Sequence, residues 1–141
     1  MGNICRSPTG EAILRAKAEQ MGVDVEVDSA GTIGYHQGNP PDPRSQAAGE
    51  QRGYSFQGIR SRQVVDNDFE CFDLILEADK DNLSNLKAQC PLQHQGKIRL
   101  FLSFGEAAEE EIPDPYYGGD KGFELVLDLI EEASEKLLRS L

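Results

Sequence analysis

The order of local patterns constrains the fold of this chain most, because helical and strand spacing alternate almost from end to end. Ser7-Pro8 reads as an N-cap with proline at the first helical position. Ile13, Leu14, Ala18 and Met21 then recur at helical spacing until Gly22 closes the segment. Over 23–29, Val23, Val25 and Val27 alternate with Asp24, Glu26 and Asp28, which predicts a half-buried strand. Residues 43–52 predict a helix stopping at Gly53, and 66–72 a short helical turn. Leu74-Ile75-Leu76 is an apolar run suited to an interior strand, and 81–89 predicts a helix ending before Pro91. In KIRLFL, Ile98, Leu100 and Leu102 are expected on one face of a further strand. Residues 123–138 close the chain as an amphipathic helix, with Leu127, Ile130, Leu137 and Leu138 among its apolar positions. This alternation predicts an α/β protein with a small parallel sheet covered by helices on both faces. Such folds ordinarily open on a strand, whereas this chain opens on the loop that should follow one.

Its 141 residues suit one domain, 1–141, without internal repeats or low-complexity tracts. The longest irregular stretches, 31–43 and 103–120, are long enough to expect function there. Charge narrows the partners: 25 acidic against 14 basic side chains leave −11, a surface that repels nucleic-acid phosphates and anionic lipid. No apolar run approaches the ~20 residues of a membrane span, and MGNICRSPTG has no apolar core for a signal peptide. Cys5, Cys71 and Cys90 have neither CxxC nor zinc spacing, and His36 and His94 are too few and too far apart for a metal site. A cytoplasmic protein with reduced thiols and no metal site is expected, with Cys71 and Cys90 as small buried side chains.

GNICRSP runs directly into the first helical pattern. A helix N-terminus presents free backbone N–H groups and a positive dipole end, which together bind anions. Gly2 allows close backbone approach and Arg6 adds a charged, bidentate grip on phosphate oxygens; a capped helix with a frayed terminus is the plain alternative.

The whole string is more specific. GNICRSP, the helix and then DSAGT resemble the low-molecular-weight phosphotyrosine protein phosphatases. The resemblance continues through Tyr35-His36, PDPRS at 41–45, Arg62-Gln63 and IPDPYYGG at 112–119. It implies a three-layer α/β/α fold whose parallel sheet has four strands in the family. It also implies a phosphocysteine mechanism without metal or cofactor, acting on a phosphotyrosine-containing protein or a small aryl phosphate. Inorganic phosphate or a similar oxyanion would occupy the same loop. The loop would comprise Gly2, Asn3, Ile4, Cys5, Arg6 and Ser7, with Arg6 stabilising the transition state and Ser7 hydrogen-bonding the thiolate. Asn3 and Ser29 would brace the loop, and Asp79 would orient the arginine. Asp114 would be the general acid, with Tyr116 and Tyr117 as the wall beside it and Tyr35 as the opposite wall. Glu106–Glu111 is expected to be a solvated acidic loop.

The family's loop places its nucleophilic Cys six residues before the arginine, which is one residue before Met1. Cys5 corresponds to the second cysteine of the loop. The nucleophile and the strand leading to it are therefore expected to be missing. Impaired activity, reduced stability and self-association through exposed strand edges follow as expectations. A truncated relative that binds phosphate or phosphotyrosine without turnover is the alternative. A thioredoxin-coupled arsenate reductase ranks lower, since it needs a second close cysteine pair.

Overall fold

The computed structural model describes residues 6–31, 42–59, 62–105, 110–113 and 119–141. Among them, α1 spans Arg6–Met21, α2 Pro43–Gln51, α3 Asp66–Cys71, α4 Lys80–Gln89 and α5 Gly119–Arg139, with strands β1 at Ile75–Glu77 and β2 at Ile98–Leu100. Short 3-10 turns at Leu92–Lys97 and Phe101–Phe104 flank β2. The strands pair in parallel, Ile75 opposite Ile98, Leu76 opposite Arg99 and Glu77 opposite Leu100, with α4 as the crossover.

Helices cover both faces of this sheet, because successive strand residues point to opposite sides. Ile75 packs with Phe69, Leu86, Cys90 and Ile98 in a smaller cluster under α3 and α4. Leu76, one residue on, packs against the main core, where Ile13 of α1 meets Val126, Leu127 and Ile130 of α5. The layered α/β expectation therefore holds.

Several boundaries are set locally. Gly22 and Gly53 both take positive φ, at 69° and 90°, where the chain leaves α1 and α2, a conformation glycine adopts without a Cβ penalty. Asp42 caps α2 by accepting from the Arg44 N–H at 2.8 Å; burial opposes ionisation of its carboxyl, but these bonds to Arg44 hold it below the usual range.

Four expectations are corrected. The helix starts at Arg6, so Ser7 stands inside the first turn and does not precede it as a cap. Residues 23–30 form no ladder, and pairing there is a single parallel bridge between Gly31 and Gln63. Alternation favours a strand only where a neighbouring strand supplies backbone partners, and Val25 is half-exposed. Side chains hold this segment instead: Arg15 donates to the Val27 carbonyl at 2.8 Å and Arg62 pairs with Asp28 at 3.1 Å. Finally, β2 ends at Leu100, and the 3-10 turn after it carries Leu102 into the main core, whereas Ile98 lies in the smaller cluster. Cys71 is likewise exposed and accepts from Asn67, while Cys90 is buried as expected, which pushes its thiol pKa up.

Candidate active site

The candidate site is built where α1 begins and where β1 turns into α4. The first turn of α1 carries no acidic residue, so nothing from the helix itself neutralises its positive end. Arg6 and Ser7 lie in that turn by their backbone; their side chains, and all of Gly2, Asn3, Ile4, Cys5, Tyr35, Asp114, Tyr116 and Tyr117, lie outside the described residues.

Ser29 and Asp79 are described. The Ser29 hydroxyl donates to Glu11 Oε1 at 2.5 Å, and the other Glu11 oxygen pairs with Arg15 at 2.5 Å. Glu11 is 6% exposed, so its charge is compensated inside the fold and not by water. Ser29 is thereby fastened to α1 one and a half turns below its start. Glu11 was not singled out from sequence, although its i,i+4 spacing to Arg15 on an otherwise buried face was the available signal.

Asp79 is the N-cap of α4, its Oδ1 accepting from the Asn82 N–H at 2.8 Å. It sits two residues after the last residue of β1, at the carboxyl end of a parallel strand, where α/β sheets place their ligands. Glu77, that last residue, is 8% exposed; burial, reinforced by the Asp79 charge, raises its carboxyl to about 8.

The segment ahead of Asp114 meets the same turn. The Ile112 N–H donates to the Ala78 carbonyl at 2.7 Å, and the Lys80 N–H donates to Glu111 Oε2 at 2.7 Å. Glu110 pairs with the Lys80 ammonium at 2.6 Å, so part of the expected solvated acidic loop is docked, although both glutamates remain exposed. Two parts of the candidate site thus come together at one end of the sheet, the β1–α4 turn and residues 110–113, while Ser29 is tied through Glu11 to α1. Among the described residues no cluster of His, Cys, Asp or Glu could hold a metal ion, and no helix is long and apolar enough to cross a membrane.

The model of the family described as low molecular weight phosphotyrosine protein phosphatase matches residues 1–141. A chain from Synechocystis sp., provisionally named a low molecular weight protein-tyrosine-phosphatase, is 47% identical, covering 100% of this chain and 92% of its own length. YfkJ from Bacillus subtilis, a low molecular weight protein-tyrosine-phosphatase, is 39% identical over 100% of this chain and 91% of its own. The crystal structure of a protein tyrosine phosphatase from Entamoeba histolytica, with Hepes in its active site, superposes with a TM-score of 0.95 at 42% identity, covering 99% of this chain and 91% of that one.

Proposed function

The chain belongs to the low molecular weight phosphotyrosine protein phosphatase family, and from that premise we propose which of its residues carry the hydrolysis of phosphotyrosine or a small aryl phosphate. The start of α1 at Arg6 with no acid in its first turn supports an anion site formed by Gly2–Ser7. In the proposed reaction a loop thiolate attacks phosphorus, an S–P bond forms as the P–O bond to the aryl group breaks, and Arg6 with the loop amides holds the three equatorial oxygens. Asp114 gives its proton to the departing aryloxide. Water then attacks the phosphocysteine, Asp114 takes a proton from it, and the released phosphate leaves the thiolate restored. Tyr35, Tyr116 and Tyr117 flank the aryl ring. Ser29 acts through the loop's support, and Asp79, at the end of β1, orients the arginine while capping α4.

Thiolate chemistry supports a reducing, cytoplasmic setting for the enzyme. Hydrolysis of p-nitrophenyl phosphate tests the assignment of the nucleophile. In a form that includes the loop cysteine six residues before Arg6, replacing that cysteine with Ser is expected to lower turnover about 10⁴-fold. Turnover that survives this change but disappears with Cys5→Ser would move the nucleophile to Cys5 and overturn the assignment.

A further inference from the structure

We propose that Glu111 is a positioning residue for the proton transfer, its carboxylate holding the chain ahead of Asp114 against the β1–α4 turn. Two hydrogen bonds bracket Asp79: the Ala78 carbonyl accepts from the Ile112 N–H, and the Lys80 N–H donates to the Glu111 carboxylate, both at 2.7 Å. The Ile112 side chain, 3% exposed, is sunk in the main core, so the point of departure toward Asp114 is fixed on two sides. From Ile112 to Asp114 the chain spans at most about 7 Å, and the position of the anchor therefore limits where the acid can reach.

Capping alone does not account for the Glu111 contact. The helix already has Asp79 as its N-cap, and Lys80 occupies the first helical position, whose N–H helices ordinarily leave to water. A carboxylate from a distant segment takes that N–H here. The Lys80–Glu110 pair beside it is more than half exposed on both sides, so salt and water weaken it, and Glu111 carries the fastening.

This inference rests on Asp114 being the general acid, and the experiment separates the two. In the form that includes the loop cysteine, kcat/KM is measured on phenyl phosphate, whose leaving group needs protonation, and on p-nitrophenyl phosphate, whose leaving group needs it far less. Glu111→Ala is expected to lower kcat/KM on phenyl phosphate roughly tenfold, several times more than on p-nitrophenyl phosphate. Glu111→Gln, whose amide oxygen can still accept from the Lys80 N–H, should recover most of the loss. Asp114→Asn is the reference and should discriminate between the substrates more strongly. If Asp114→Asn discriminates while Glu111→Ala lowers both equally or neither, the positioning role is overturned. If Asp114→Asn itself fails to discriminate, the acid assignment falls and the inference with it.

Discussion

Glu77 is a carboxyl held in a place that disfavours its charge, and this makes stability depend on pH in a definite direction. Its pKa is about 8 in the folded chain against 4.5 as an ordinary glutamate, so the folded state holds the proton more tightly than the unfolded one. Stability from this group is therefore complete below about pH 4.5, falls between 4.5 and 8, and is level above that. At 1.4 kcal/mol per unit the loss is at most about 5 kcal/mol. Glu77→Gln removes the ionisation. Its stability advantage over the unaltered chain, measured by urea unfolding, should widen by several kcal/mol between about pH 5 and pH 9. An advantage that stays constant over that range would mean the carboxyl titrates normally. Ser134 shows a milder conflict at the same scale: it is 0% exposed on α5, and among the described residues its hydroxyl has no hydrogen-bond partner.

Individual elements are held by contacts at their edges as much as by propensity. Arg52, just past α2, reaches three carboxylates of α5, Glu124, Asp128 and Glu131, and so ties the two helices together across their exposed sides. Beneath that tie, Gly49 lets α2 approach the loop behind it. A Cβ there would come within 2.5 Å of the Phe56 ring, which is itself only 3% exposed. Gly49→Ala gains helix propensity yet should destabilise the fold by about 1–3 kcal/mol through overpacking. Chemical denaturation checks the sign; a neutral or stabilising result would show that Phe56 repacks freely. The glycine breaks after α1 and α2 were legible in sequence because φ > 0 is a local demand. Residues 23–30 were misread because their alternation is local but a ladder is not.

The molecule as a whole is organised around β1. β2 pairs with one of its edges, and among the described residues no strand pairs with the other. The family was legible from sequence because its marks are short, ordered motifs: GNICRSP, DSAGT and IPDPYYGG carry the resemblance by residue type and spacing. Glu11, Glu77 and the Glu111 anchor were not, since each is a single acidic residue in a chain with 25 of them. Their distinction lies in burial or in a partner far along the chain, Ser29 for Glu11 and Lys80 for Glu111. The sequence by itself determined the class of fold, the main helix ends and the family, because periodicity, glycine conformation and motif spacing act over a few residues. Only the tertiary structure decided that 23–30 lacks a ladder, that Leu102 leaves the face of Ile98, and which carboxylates are buried or recruited to the site. Those outcomes depend on which distant groups share a surface and whether water is excluded there.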